Sequence, residues 1–207
     1  MDSSTLSTDT SSITTKWLHY GLITFFILIC YSNTFDNAFI YDDEIFIINN
    51  RFLREFQYFS KFFTESAGAG AYNSDNFYRP IQLLLYGIAY QLFELDVRAY
   101  HTINIVLHIL NSLLIYSFVN NLFPKKKAGL LTAIIFAIHP IHTEAISYIN
   151  GTAEPLFLLF SLLTIISFFK GKEHYFYYFL AVFFNIIALL SKETAIVLPL
   201  VIIAADL

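Results

Sequence analysis

Long apolar runs free of charge dominate this chain. The windows 17–35, 99–124, 128–143, 155–169, 174–191 and 194–205 contain no Asp, Glu, Lys or Arg. A helix crossing hydrocarbon needs about 20 predominantly apolar residues, and tilt or burial within a bundle relaxes that length. The pattern therefore predicts six candidate spans in an all-α, polytopic transmembrane helical bundle. A further apolar stretch, 81–93 (IQLLLYGIAYQLF), is too short to span and reads as an interfacial or re-entrant helix. Between the first and second spans lies one long polar region, 36–80, carrying Asp36, Asp42, Asp43, Glu44, Arg51, Arg54, Glu55, Lys61, Glu65, Asp75 and Arg79. Residues 1–15 are rich in Ser and Thr and read as a disordered cytoplasmic tail. The rest, 16–207, reads as one membrane unit whose first extracytoplasmic loop, 36–98, holds interfacial helices. The apolar run after Lys16 lacks a small-residue cleavage motif, so it reads as an uncleaved signal anchor.

Composition narrows the function classes. Only 14% of the 207 residues are charged and 57% are hydrophobic, whereas a soluble domain carries charge at about a quarter of its positions. A net charge of −4 argues against a nucleic-acid partner, which calls for a basic stripe. One cysteine, Cys30, excludes an internal disulfide framework. Lysines collect at Lys16, at Lys125 to Lys127, and at Lys170 and Lys172. With six spans these clusters share one side, which the positive-inside rule makes cytoplasmic. The 36–80 loop, the 140–155 connection and the turn Ser191 to Thr194 then face a lumen, a periplasm or the exterior. Asn150-Gly151-Thr152 is a formal glycosylation sequon, but it lies close to the membrane surface.

Polar groups inside apolar runs are costly in lipid and point into a bundle or a cavity. His101, Asn104, His108 and Asn111 recur at spacings of three, four and three, which puts them on one helical face. They serve either interhelical hydrogen bonding or, for His101 and Asn104, a polar active-site cavity. Asp42 and Asp43, in Tyr41-Asp42-Asp43-Glu44, could supply a general base or hold a divalent ion against a phosphate. The same acids could instead form an ordinary capping turn. Neighbouring carboxylates on extended backbone point opposite ways, so one of the two is expected to do the chemistry. Arg79 and Lys192 suit a lipid-linked phosphate, or else snorkel to headgroups or pair with Glu193. His139, His142 and Glu144, with Pro140 between the histidines, and Glu154 beside Pro155 complete the outer-facing set. A firm third metal ligand is missing, so no metal site is assigned, although a divalent cation remains compatible. All these groups cluster at the outer ends of spans. A transporter would place its ionisable groups near the midplane.

The series Tyr41-Asp42-Asp43, Tyr78-Arg79-Pro80, His101 with Asn104 and His108, His139-Pro140 with His142-Thr143-Glu144, Gly151 with Glu154, and Ser191-Lys192-Glu193 resembles the N-terminal membrane half of the GT-C glycosyltransferases. Within them it is most similar to the transmembrane and tetratricopeptide-repeat O-mannosyltransferases and their bacterial relatives. The resemblance covers about Tyr41 to Pro199. It implies inverting transfer of a mannose-like sugar from a polyprenyl-phosphate donor to a protein Ser or Thr hydroxyl, in a bacterial inner membrane or the endoplasmic reticulum membrane. Under it, Asp42 and Asp43 match the catalytic acidic motif. Arg79, His101 and Lys192 hold the donor phosphate, while Asn104, His139, Glu144, Glu154 and Glu193 line the cavity. Thr152 stands where the family usually shows Arg. The family continues past this point with more spans and a repeat domain, so the chain is expected to be a fragment. A noncatalytic polytopic scaffold or transporter subunit is the alternative. Its discriminating test is whether glycosylation survives loss of both acids.

Overall fold

A computed structural model describes residues 3–73, 75–124 and 128–206. The triple lysine 125–127 and Ser74 lie outside the described residues. The chain forms α1 (Ser3–Cys30), α2 (Pro80–Phe93), α3 (Val97–Leu122), α4 (Ala128–Ile138), α5 (Thr143–Ser147), α6 (Ala153–Gly171), α7 (Phe176–Ser191) and α8 (Leu198–Asp206), joined by 3-10 and π turns. Among the described residues there is no strand, and the fold is an all-α membrane bundle. Two helical stretches are long and apolar enough to cross a bilayer, Val97–Leu122 and Ile149–Gly171. Ala128–Ile138 with Pro140–Ser147 makes a third if a pair bent by 48° counts as one span. Thr14–Cys30, Phe176–Ser191 and Glu193–Ala204 are apolar but shorter, so length and composition support two to three of the six expected spans.

The reasons for each boundary are local. The expected continuous window 128–143 breaks because Pro140 lacks an N–H and disfavours helix in the residue before it. His139 Nδ1 accepts the Ile141 N–H at 3.2 Å instead, starting a 3-10 turn. Pro80 opens α2 at a position where its missing donor costs nothing. At 14 residues, α2 is about 21 Å long, short of a bilayer's hydrocarbon core. The Asp96 side chain caps α3 by accepting the Arg98 N–H at 3.1 Å. The backbone of α1 is helical from Ser3, where a disordered tail is expected over 1–15. Extending an existing helix costs far less than nucleating one.

α3 is the axis of the bundle and packs on α1, α2, α4, α5 and α6. α1 lies antiparallel to it: Tyr20 Oη meets Ser117 Oγ at 2.9 Å near one end, and Tyr31 packs edge-on to His108 nearer the other. α6 and α7 form a hairpin in which Gly171 faces the ring of Tyr178. A Cβ there would come within 2.5 Å of the ring carbons. These pairings gather Lys16 and the ends of α3 and α6 that lead to 125–127 and 170–172 at one end of the bundle. The acidic loop, α2, α5 and the Ser191–Thr194 turn lie at the other.

The 36–80 region, polar by composition, is ordered by an aromatic core. Phe46, Phe52, Phe62, Tyr86 and Tyr100 are buried together with Ile47, Leu53 and Leu83. Gly87 lets α2 approach Phe59 and Phe62, since a Cβ would sit 3.0–3.1 Å from both rings. Buried Asn50 donates to the carbonyls of Phe46 and Ala67 and accepts the Phe52 N–H. The loop is thereby docked onto α2 and α3.

Candidate active site

The four residues of the α3 polar stripe, His101, Asn104, His108 and Asn111, are all buried, and each finds a backbone carbonyl on a different neighbour. His101 Nε2–H donates to Asn37 at 3.2 Å, Asn104 Nδ2 to Tyr148 at 3.0 Å, His108 Nε2–H to Ala137 at 3.0 Å, and Asn111 Nδ2 to Pro155 at 2.9 Å. The Ala137 carbonyl is orphaned because its normal helical donor, the Ile141 N–H, is turned aside at the proline break. Irregular backbone at membrane depth survives where other groups satisfy it, and His108 does so here.

The turn 148–152 is the second anchor. Asn150 N–H donates to Asp43 Oδ1 at 2.9 Å, Gln82 Nε2 lies 3.0 Å from both Asn150 oxygens, and Tyr86 Oη–H donates to the Ile149 carbonyl at 2.8 Å. Thr152 Oγ1–H donates to Asn104 Oδ1 at 2.5 Å. Gly151 packs so closely on α5 that a Cβ would meet the Glu144 carbonyl oxygen at 2.8 Å. Thr152 is fully buried and Asn150 is 8% exposed, so the sequon is structural in the folded chain.

This scaffold treats the two acids differently. Asp43 is fully buried; its Oδ2 accepts the Ile40 N–H at 2.9 Å while its own N–H donates back to the Ile40 carbonyl at 3.0 Å. Burial pushes its carboxyl up to about 6, opposed by the Ile40 and Asn150 N–H groups and assisted by the charge on Asp42. The clip holds Tyr41 at φ +49°, a left-handed conformation unusual for an aromatic residue. Asp42 is exposed, and its N–H donates to Tyr148 Oη at 3.2 Å. Burial, with the charges of Asp42 and Asp43, raises the Tyr148 hydroxyl above its ordinary range, so it stays protonated.

Asp42 lines a cavity of about 580 Å³ together with Arg79, His142, Glu144, Tyr148 and Glu154. Its membrane-side wall is His108, Asn111, Phe136, Pro155, Phe157 and Leu158. Two ion pairs flank it: Arg79 Nη2 lies 3.5 Å from Glu193 Oε1, and Lys192 pairs with Glu154. Arg79 also stacks its guanidinium 4.7 Å from the Phe77 ring centroid.

Several expected positions move. His101 is fully buried on the Asn37 carbonyl and does not line the cavity. Asn104 is turned to the 148–152 turn, His139 caps the 3-10 turn, and neither lines the cavity. Glu193 and Lys192 reach the site through Arg79 and Glu154. Asp43 lies behind the wall. Asp42, Arg79, Glu144 and Glu154 line one cavity. Sequence reasoning missed Gln82, Tyr86 and Tyr148. The available signal was the set of polar positions Gln82, Tyr86, Tyr90 and Gln91 within the largely apolar α2. Among the described residues no three His, Cys, Asp or Glu side chains converge as a metal site.

Fold and cavity together define an integral membrane protein with an ionisable site at one end of a helical bundle. Residues 80–205 match the family described as dolichyl-phosphate-mannose-protein mannosyltransferase, and the chain belongs to that family. The match begins at Pro80, downstream of the acidic loop. A protein O-mannosyl-transferase of Caenorhabditis elegans is 32% identical over 173 residues, covering 80% of this chain and 24% of the relative. Protein O-mannosyl-transferase TMTC3 of Mus musculus is 33% identical over 154 residues, covering 73% and 17%. Protein O-mannosyl-transferase TMTC1 of Homo sapiens is 31% identical over 186 residues, covering 81% and 21%. The chain thus spans about a quarter or less of the length of these relatives. No solved structure matches the chain.

Proposed function

We propose that this chain carries the catalytic cavity of a membrane glycosyltransferase that moves a mannose-like sugar from a polyprenyl-phosphate donor to a Ser or Thr hydroxyl of a protein. The acceptor oxygen attacks the anomeric carbon as its proton passes to the Asp42 carboxylate. The bond from that carbon to the phosphate oxygen breaks, and attack opposite the leaving group inverts the centre. The departing lipid phosphate carries the negative charge, which Arg79 and Lys192 offset after exchanging Glu193 and Glu154 for phosphate oxygens. Asp43 acts behind the wall by fixing the turn that presents Asp42. The cavity faces the lumen of the endoplasmic reticulum or the bacterial periplasm, with the lysine-rich end in the cytoplasm.

The observation that carries this reading is that Asp42 and Arg79 share one cavity wall while Asp43 is buried. The test uses the full-length protein, polyprenyl-phosphate mannose and an acceptor peptide. Asp42→Asn should lower turnover by about 10²–10⁴-fold, the usual worth of a positioned general base. Wild-type turnover in that variant would overturn Asp42 as the base, and a wild-type protein that transfers no sugar would overturn the reading in favour of a noncatalytic scaffold.

A further inference from the structure

The membrane-side wall of the cavity holds two hydrogen-bond acceptors that the mechanism leaves unused. Asn111 is fully buried; its Nδ2 is committed to the Pro155 carbonyl, and its Oδ1 has no hydrogen-bond partner among the described residues. A buried polar atom left unpaired costs about 1–3 kcal/mol, so this oxygen calls for a donor that the protein does not supply. His108, one helical turn earlier on the same face, is 1% exposed. Its Nε2 must carry the proton donated to the Ala137 carbonyl, which leaves Nδ1 as an acceptor. Both residues line the cavity, as do the rings of Phe136 and Phe157.

Two acceptors without a positive charge, set among aromatic rings, do not suit a phosphate, a carboxylate or a prenyl chain. They suit a neutral ligand rich in hydroxyl donors with apolar C–H faces, which describes a pyranose. Along α3, His108 lies about 6 Å and Asn111 about 10 Å from Asn104, and Asn104 donates to the carbonyl of Tyr148, whose hydroxyl accepts the Asp42 N–H. Both acceptors line the same cavity as Asp42 and Arg79.

We propose that Asn111 Oδ1 and His108 Nδ1 form the hexose-recognition subsite of the donor, accepting hydrogen bonds from two ring hydroxyls while Phe136 packs on the sugar's C–H face. The inference rests on the reading of the cavity as a glycosyltransferase site, and it assigns which wall reads the sugar.

The test measures binding of two probes to the detergent-solubilised full-length protein: polyprenyl-phosphate mannose and polyprenyl phosphate without sugar. Wild type should prefer the mannosylated lipid. Asn111→Ala should weaken mannosylated-lipid binding by about tenfold, the scale of one lost hydrogen bond to a buried acceptor, and leave the bare lipid phosphate unchanged. Phe136→Leu, which keeps every hydrogen bond of the wall, should reduce the same preference and covers the case in which Asn111→Ala fails to fold. Equal loss for both probes, or a preference kept in both variants, would overturn the subsite. Wild-type protein that binds neither lipid would instead overturn the glycosyltransferase reading.

Discussion

Asp42 and Asp43 are neighbours with the same side chain, and the fold separates their roles by burial and hydrogen bonding. On extended backbone the two acids are expected to diverge; the structure instead gives Asp43 a right-handed helical conformation at the start of a π turn, and the partners that bury it are the backbone N–H groups of Ile40 and Asn150. Such groups leave no mark in a residue pattern. Asp43 also has a pH signature. Its carboxyl rises from an ordinary value of 3.8 to about 6 on folding, so between those values the unfolded chain has lost a proton that the folded chain keeps. Stability from this group is fully present below about pH 4 and is lost as pH rises through about 6. Thermal unfolding in detergent should show wild type losing stability across that window relative to Asp43→Asn, and parallel profiles would contradict the assignment. Arg79→Gln should raise the KM for the lipid donor by about tenfold or more, since hydrogen bonds to charged groups contribute about 1.5–3 kcal/mol. Steady-state kinetics of the full-length enzyme at varied donor reads this.

At the scale of elements, the polar stripe on α3 was legible as a spacing of three, four and three. The choice between helix glue and cavity wall was not legible from that spacing. The structure divides it: His101 and Asn104 hold backbone, whereas His108 and Asn111 do so and also face the cavity. The division follows the proline break after α4, which opens space beside the lower half of the stripe. Asn104→Leu removes donors from the 146–149 carbonyls and the acceptor of Thr152. It should cost about 1–3 kcal/mol in unfolding stability, measured by thermal or denaturant unfolding in detergent. A variant as stable as wild type would show that the stripe holds nothing together.

For the whole molecule, the membrane class and the placement of Lys16, Lys170 and Lys172 at one end of the bundle were readable from the charge pattern. The number of full-length spans was not, because the charge-free windows conceal breaks at Pro140 and Ser191-Lys192 that shorten the helices. Orientation is testable directly. In a Cys30→Ala background, needed because Cys30 is exposed, a cysteine at exposed Ser60 should react with a membrane-impermeant maleimide only from the lumenal or periplasmic side. Labelling from the cytoplasm alone would reverse the proposed topology.

The 148–152 turn is bonded at once to the acidic loop, α2 and α3, so these parts are tied to one another. The rim of the cavity is held differently, by two ion pairs in which the cation is largely buried and the carboxylate exposed: Arg79 (15% exposed) with Glu193 (60%) and Lys192 (17%) with Glu154 (48%). Under the proposed reaction, donor phosphate replaces Glu193 and Glu154 on their cations, while the hydrogen-bonded turn keeps hold of the backbone that carries Asp42.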